Sequence, residues 1–479
     1  MASRPSFMRP KKRLNKVLKS KLLPILFVAF LWSPLQAQET DQLRYVDFIQ
    51  RVKLQNPLIK KSGLVARIGQ AQFDAAKGWY DPQIQSGFQS KTFDGKNYYN
   101  VFQGEVKQGL ITAQNIKFGY ERAVGNVINP EDQTSDAGIP YLGLEIGLLQ
   151  GLMIDKRRAE LLKSKAYAAY YESEGKIQLN QVLAEASTTY ADWLFVNQLY
   201  SIQQEFLSRA QERFEATTVL AAKGERAGMD SIEARLLVRG RALELDALTN
   251  DLTKSEQEIR IILFDNLEQQ PLKPSDQLDD LVSFIKSNIK PYEPSYLLTN
   301  PFVEKQRAMM NVNKVEERFR KELIKPELNL SYNFLADYTA PNDPRFSINN
   351  NKWSAKLAFP LFQRRTRNEF RLARAQAQIS KLELDFKTNE LDKKSIALSR
   401  QLEQQQRIIQ DAQVIYEEGR LLLEAERLRF ELGESTLFLL NTRENKLLEY
   451  KVKLAETKLK YVRMGFALLF LQGQFDTLN

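Results

Sequence analysis

Two periods of hydrophobicity alternate along this chain. Long segments place apolar or small residues at helical spacing and fill the other faces with Lys, Glu, Gln and Arg, which predicts long helices that pack side by side. Shorter segments alternate apolar and polar residues with period two, which predicts β-strands. The clearest helical stripe consists of Leu372, Ala375, Ile379, Leu382 and Phe386.

Two proline-free segments, Ile154 to Ala222 and Arg364 to Leu432, are long enough for single helices of roughly 100 Å. After a turn, each long helix is expected to be followed by a returning helix, at about Ser231 to Phe264 and Thr436 to Phe470. The returning helices are about half as long as their partners. Another helix must therefore extend each returning helix to the length of its long partner.

The two turns carry recognisable capping residues. Gly224 and Gly433 follow the long helices, where a left-handed C-cap favours glycine. Asp230, with Glu233 three residues later, predicts a capping box for the first returning helix. Ser435 is expected to cap the second one.

An Asn-Pro pair precedes each group of strands, at Asn56-Pro57 and at Asn300-Pro301. Asn as N-cap and Pro as first helical residue predict a helix that continues to about residue 78 in one case and 325 in the other. We expect each of these helices to lie end to end with a returning helix. Because the whole order of elements occurs twice, the chain is predicted to be an internal duplication, with residues 38–265 and 295–479 as the two copies.

Residues 266–294 contain four prolines and are predicted to link the copies and form a belt around their junction. The alternating segments lie between the short and the long helix of each copy. Alternation over nine or ten residues suits membrane strands with one face in lipid, and it suits an ordinary half-buried sheet as well. The segments are Gln83 to Lys91, Tyr99 to Leu110, Asn115 to Gly125 and Tyr141 to Leu149 in the first copy, and Glu327 to Phe334 and Trp353 to Phe359 in the second.

Residues 1–37 are similar to a secretory signal peptide, with eight basic and no acidic residues, an apolar run from Leu22 to Trp32, and Ala37 before an expected cleavage at Gln38. The apolar run is too short to span a bilayer. Its basic residues account for most of the formal charge of +10 and leave about +2, so a nucleic-acid partner is not expected. The chain is predicted to be exported.

The sequence offers little catalytic chemistry. It contains neither histidine nor cysteine, which excludes Ser-His-Asp and Cys-His arrangements, the common zinc sites and a lipid-modified N-terminal cysteine. Neither of the glycine-rich nucleotide-binding motifs, Gly-x-x-x-x-Gly-Lys-Ser/Thr and Gly-x-Gly-x-x-Gly, occurs in the sequence. Asp and Glu lie at charge-pair spacings along the helices. We therefore predict no enzymatic activity, no cofactor and no metal.

The duplicated order of elements, together with three short motifs, resembles the TolC-like outer-membrane efflux proteins. This resemblance implies an α+β membrane protein of the Gram-negative outer membrane, in which a homotrimer shares one β-barrel and extends long helical hairpins into the periplasm as a tunnel. The motifs are Phe359-Pro360-Leu361-Phe362, Lys223-Gly224-Glu225 with Asp230-Ser231-Ile232-Glu233-Ala234-Arg235, and Leu432-Gly433-Glu434-Ser435.

The resemblance also implies partners. Such a trimer is the passive exit duct of a tripartite efflux or type I secretion system, and its hairpin tips dock onto a periplasmic adaptor and an inner-membrane transporter. Charge rings at constrictions are a recurring gating device, so Glu434 and Asp230 are candidates for a gate charge, while capping explains Asp230 as well. The implied docking residues are Gly224, Asp230, Ser231, Gly433 and Ser435.

The chain departs from the family pattern in two places. Gln150-Gly151-Leu152 stands where the second copy has Phe359-Pro360-Leu361, so the first entry into a long helix lacks the proline. The first copy also has two additional alternating segments, between residues 99 and 120. These predict six strands per chain, or eighteen in a trimer, instead of the usual four and twelve; the competing interpretation places residues 99–120 in an extracellular hairpin above a four-stranded sheet.

Two other classes of protein remain open. A periplasmic helical scaffold or adaptor without a barrel would keep the hairpins but would leave the alternating strands unexplained. An exported enzyme would require a convergent polar site, which the sequence does not indicate. Detergent dependence distinguishes both from a barrel protein.

Overall fold

The computed structural model describes residues 41–264, 272–338 and 344–475, so the predicted signal peptide lies outside the described residues. The α-helices are α1 (Tyr45–Gln55), α2 (Pro57–Lys77), α3 (Lys156–Ala222), α4 (Gly228–Leu263), α5 (Leu278–Asn288), α6 (Pro301–Glu322), α7 (Arg364–Glu431) and α8 (Leu437–Gln472). The strands are β1 (Asp41–Leu43), β2 (Gln83–Phe93), β3 (Lys96–Gly109), β4 (Gln114–Val124), β5 (Ile139–Gly147), β6 (Leu272–Pro274), β7 (Glu327–Tyr338) and β8 (Pro344–Ala358).

The two long helices confirm the sequence prediction. α3 and α7 contain 67 and 68 residues and begin and end within two residues of the predicted bounds. Asp155 caps α3, because its carboxylate accepts a hydrogen bond from the backbone N–H of Arg158 at 2.8 Å. Among the described residues, no helix is apolar over a length that would cross a membrane.

The short helices extend the returning helices, as predicted. Asn56 caps α2 by accepting from the N–H of Leu58 at 2.8 Å, while its side-chain amide donates to the carbonyl of Ile262 in the last turn of α4, also at 2.8 Å. Asn300 makes the same pair of bonds in the second copy, and its amide donates to Leu471 of α8 at 2.8 Å. Each asparagine therefore starts one helix and joins it to the end of another.

The helices form one layer that is four helices wide. α3 lies inside the layer, with α2 and α4 on one side and α6 and α8 on the other, and α7 packs against α6 and α8 at the edge. The belt, defined here as residues 41–55 and 272–298, covers one side of this layer, and β1 pairs with β6 within it. Large fully buried side chains, among them Phe48, Tyr190, Trp193 and Phe466, fill the core beneath the belt.

The other six strands form one antiparallel sheet in the order β2-β3-β4-β5-β7-β8. β3 and β4 pair along most of their length with each other and with β2 and β5, so residues 99–120 lie within the sheet and not in a hairpin above it. This confirms six strands per chain. The register aligns one row of apolar residues across five strands: Ile84, Val106, Phe118, Leu142 and Phe334.

Candidate functional site

The two hairpin tips have the same backbone geometry. Gly224 and Gly433 adopt φ angles of +78° and +77°, in the left-handed region that favours glycine. After each glycine the chain turns back to the helix: the N–H of Glu225 donates to Leu220 O at 3.0 Å, and that of Glu434 donates to Arg429 O at 2.8 Å. These bonds are those of a Schellman motif and confirm the predicted glycine C-caps.

The predicted N-caps of the returning helices are wrong. α4 begins at Gly228 after the extended residue Ala227, so Asp230 lies in its first turn and does not cap it. α8 is capped by Thr436, whose hydroxyl accepts from the N–H of Leu439 at 3.3 Å. In each case the residue with extended backbone, and not the predicted one, occupies the cap position.

The remaining predicted tip residues have defined surroundings. Ser231 contacts Thr218 of α3 at 3.2 Å between their hydroxyl oxygens. Ser435 donates a hydrogen bond to Glu426, a buried carboxylate of α7. Glu434 is exposed and Asp230 is partly buried, where the start of α4 favours a negative charge.

The two tips touch each other through a cation–π contact. The guanidinium of Arg226, in the tip between α3 and α4, lies 4.5 Å from the ring centre of Phe430 near the end of α7. Large apolar side chains project from the same end of the molecule: Met229 is 78 % exposed, Leu432 68 % and Phe438 69 %. These tip residues are therefore apolar and open to solvent.

Behind the tips, a polar cluster joins α3, α4 and α8. Arg213 of α3 donates to Asn441 of α8 at 2.7 Å and to Glu444, which is buried. The side-chain amide of Asn441 in turn donates to Glu233 of α4 at 3.0 Å. Because a buried charge left without its partner is costly, this cluster holds three helices in one arrangement. Sequence analysis missed it, since each of its hydrogen bonds joins residues more than 200 positions apart.

The sheet has two chemically different faces. One face carries the apolar row. Several side chains of this face, including Ile84, Phe88 and Phe118, are exposed. On the other face, Glu145 binds Lys107 at 2.8 Å and Lys117 at 2.9 Å. Paired charges on one face and exposed apolar residues on the other are typical of a strand layer between lipid and a polar lumen.

The apolar stripe predicted on the second long helix is not packed within the chain. Leu372, Ile379, Leu382 and Phe386 are all exposed along the edge of the layer. At the opposite edge, apolar residues of α2 and α4 such as Leu64 and Leu243 are exposed as well. Both edges of the layer therefore present surfaces suited to another long helix.

No metal centre emerges from the described residues, among which no group of three or more Asp and Glu side chains is arranged to hold a metal ion. The polar clusters found here are ion pairs and hydrogen-bonded networks that join helices or strands. The helices form a continuous layer, and the sheet beside it exposes an apolar band.

Solved structures of outer-membrane channels are similar to this chain over most of its length, among them the following three. The Campylobacter jejuni CmeC outer membrane channel has a TM-score of 0.64 at 12 % identity and covers 89 % of this chain and 85 % of its own. The outer membrane protein VceC of Vibrio cholerae has the same TM-score and identity, with 89 % and 95 % covered. The open state of the Neisseria gonorrhoeae MtrE outer membrane channel has a TM-score of 0.63 at 11 % identity and covers 89 % of this chain and 88 % of its own.

No family model matches the sequence, and no curated protein matches it. The likeness to these channels is therefore one of fold. It extends to the helical hairpins and the sheet together, since nearly nine tenths of the chain is covered.

Proposed function

Because the chain has the fold of TolC-like outer-membrane channels, we propose that it is itself an outer-membrane channel. It forms the passive exit duct of a tripartite efflux or type I secretion system. The observation that supports this most directly is the two-faced sheet at one end of the hairpins, with an exposed apolar face and a face of paired charges. Such a face is stable against lipid and would be a liability in water.

The proposal requires several copies of the chain. β2 and β8 are the edge strands of the sheet, and an open edge is not tolerated in lipid. In a homotrimer, β2 of one copy pairs with β8 of the next, which gives a closed barrel of eighteen strands. The exposed stripe of α7 then packs against α2 and α4 of the neighbouring copy and removes both apolar edges from water.

The hairpin tips are proposed to dock onto a periplasmic adaptor and, through it, onto an inner-membrane transporter that supplies the energy. Gly224 and Gly433 shape the turns, and Ser231 and Ser435 hold them against the long helices. The exposed Met229 supplies apolar contact area. Glu434 is exposed beside the turn and is the proposed gate charge, with Asp230 in a secondary role.

Two measurements test the channel function. The protein should sediment with outer membranes and need detergent for extraction, and the purified protein should form ion-conducting pores in planar lipid bilayers. A soluble protein without detergent would favour the periplasmic scaffold or adaptor instead. Purified trimers that insert but do not conduct would refute the duct.

A further inference from the structure

A strongly basic surface lies at the start of α7, directly after the sheet. We name it the arginine surface, and it consists of Arg364, Arg367, Arg371 and Arg374. All four side chains are exposed. Within the part of the chain that the structure describes, none of the four forms an ion pair, because the adjacent Glu369 is bound by Arg320 and Arg365, each at 2.8 Å.

Helix stability does not explain this surface. Positive charge is unfavourable at a helix N-terminus, where the backbone dipole is positive. The N-cap residue Gln363 gives the first turn no side-chain bond, because its amide donates to Ile324 O at 2.8 Å. The first copy differs: Asp155 caps α3 and binds Arg157 and Arg158 at 3.3 and 3.2 Å. Arg157 and Arg158 therefore share an ion pair with Asp155 within the chain, whereas the arginines of the arginine surface have no such carboxylate among the described residues.

The arginine surface lies on the belt side of the helix layer. In long helices that pack side by side, every seventh residue stays on one face. By this rule Arg364 and Arg371 share a face with Asp392, which accepts a hydrogen bond from Tyr292 of the belt. Arg367 and Arg374 share a face with Ser395, which accepts one at 2.6 Å from a second belt tyrosine.

The polar face of the sheet lies on the other side. Tyr190 of α3 points to the belt, where its hydroxyl donates to Leu43 O at 2.8 Å. Arg157 shares a face with Asp192, two residues beyond Tyr190 and so on the opposite side of α3. Arg157 donates to Asn115 on the polar face of the sheet at 2.8 Å. The apolar face of the sheet and the arginine surface are therefore on the same side of the molecule.

Exposed apolar residues connect the two. Phe359 continues the outward row of β8 beyond Trp353 and Leu357, and Leu361 and Phe362 are 86 % and 76 % exposed. The arginines begin two residues after Phe362 and follow over about three helical turns, and the guanidinium of Arg364 lies 5.7 Å from the ring centre of Phe362. An apolar band followed immediately by cations matches the order of acyl chains and headgroups in a bilayer leaflet.

We propose that the arginine surface binds the phosphate groups of anionic phospholipids in the leaflet on the tunnel side of the sheet. The inference rests on the proposed membrane location of the sheet. Guanidinium groups bind phosphate oxygens in bidentate fashion, and basic residues next to an apolar anchor attract anionic lipid surfaces. Three copies of the surface in a trimer would form a cationic ring at the base of the barrel, which fixes the depth of the channel in the bilayer.

The test uses the full-length protein in neutral detergent. Native mass spectrometry measures its binding of dioleoyl-phosphatidylglycerol and, in parallel, of zwitterionic dioleoyl-phosphatidylcholine. We expect a preference for phosphatidylglycerol that falls as salt rises. The variant Arg364→Gln/Arg367→Gln/Arg371→Gln should bind it on the order of 100-fold more weakly, at about five-fold for each arginine, with phosphatidylcholine binding unchanged.

A matched control carries the same charge change elsewhere on the same helix. Arg400→Gln/Arg407→Gln/Arg427→Gln alters three exposed arginines farther along α7 and should retain the preference. Equal loss in both variants, or no preference in the unaltered protein, would overturn the proposal. Displacement of the lipid by millimolar inorganic phosphate would overturn a lipid site in favour of a free-phosphate site.

Bilayer conductance separates this proposal from the proposed function. Both variants should conduct like the unaltered protein, which also shows that they fold. If the unaltered protein conducts but has no lipid preference, the lipid site alone is wrong. If it does not conduct, the channel function fails whatever the lipid result.

Discussion

The two copies share one order of elements but differ in their surroundings. Ile177 of α3 and Phe386 of α7 lie at equal distances before Gly224 and Gly433, yet Ile177 is 9 % exposed and Phe386 69 %. α3 has neighbours on both sides, whereas α7 forms the edge of the layer. The same hydrophobic pattern is therefore buried in the core at α3 and exposed at the edge at α7, where the proposed trimer would cover it.

The copies also differ in their strands. The first contributes β2 to β5 and the second only β7 and β8. β3 and β4 stand between β2 and β5, so the additional hairpin widens the sheet without changing its edges. The duplicated unit thus tolerates an insertion in its strands while its helices keep matched lengths.

The largest expected effect comes from charging equivalent positions in the two long helices. Ile177→Asp buries a carboxylate in α3 and should destabilise the folded chain by about 4–5 kcal/mol or more. Phe386→Asp should leave the chain folded but prevent trimer formation, because the position is exposed in one chain. Denaturant unfolding and size-exclusion chromatography in detergent measure both. Equal effects of the two substitutions would show that the copies have equivalent environments.

The turns should respond alike in both copies. Gly224→Val or Gly433→Val places a β-branched residue at positive φ, which costs about 1–2 kcal/mol locally, and a Cβ atom there meets no neighbour within 4 Å. We expect loss of efflux or secretion with the barrel and trimer intact.

Gly240→Val is the control, since this glycine also has open space around it but lies within α4 without a positive φ. Transport should survive that change. Retained transport in the turn variants, or failure of those variants to assemble, would contradict a role of the turns in docking.

Removing the additional hairpin makes the copies equal. Deletion of residues 94–125 joins β2 through the following loop to β5 and leaves four strands per chain. If conductance follows the square of the strand number, a trimer of twelve strands should conduct roughly half as well as one of eighteen. Single-channel recording measures the change, and an unaltered conductance would mean that β3 and β4 do not line the pore.

The smallest effect concerns an ion pair between the copies. Burial raises the pKa of Glu316 in α6, but hydrogen bonds from Lys163 of α3 and from Arg320 outweigh it and hold the pKa below its ordinary value of 4.5. Because the pKa of Glu316 is lower in the folded chain, its ionised carboxylate stabilises the fold at pH values above the ordinary pKa. This stabilisation is lost as pH falls through the folded-state pKa. Glu316→Gln should therefore make the melting temperature less dependent on pH in the acidic range. The loss of stability at neutral pH should be about 1 kcal/mol or less.

The exposed Glu215 provides the comparison for this last experiment, because Glu215→Gln makes the same chemical change outside the interface between the copies. Its acid dependence should match that of the unaltered protein. Identical profiles for both variants would show that the Glu316 pair does not couple the copies.

Local signals predicted the helices, turns and strands well. Proline-free length and helical spacing predicted α3 and α7 to within two residues, and Asn-Pro pairs predicted the starts of α2 and α6. These features depend on residues a few positions apart. The two additional strands, β3 and β4, could be predicted for the same reason, because period-two alternation is a property of each segment by itself.

The failures depend on contacts that the pattern of a single segment does not show. Ser435 and Thr436 are both suitable N-cap residues. Thr436 caps α8, whereas the hydroxyl of Ser435 donates a hydrogen bond to Glu426. The cluster of Arg213 and Glu444 joins residues from different copies, so no local pattern indicates it. The exposure of the α7 stripe was equally invisible, because an apolar stripe does not reveal which helix covers it.

The width of the sheet has a consequence for the calibre of the proposed trimer. A strand about 4.8 Å from its neighbour and tilted by about 40° occupies roughly 6 Å of a barrel's circumference, so six strands span roughly 38 Å. Four helices spaced at roughly 10 Å span roughly 40 Å. Four strands would cover only about 25 Å and force a taper where the helices meet the membrane. With six, wall and barrel would match in girth, and the proposed trimer would need no taper where the helices meet the sheet.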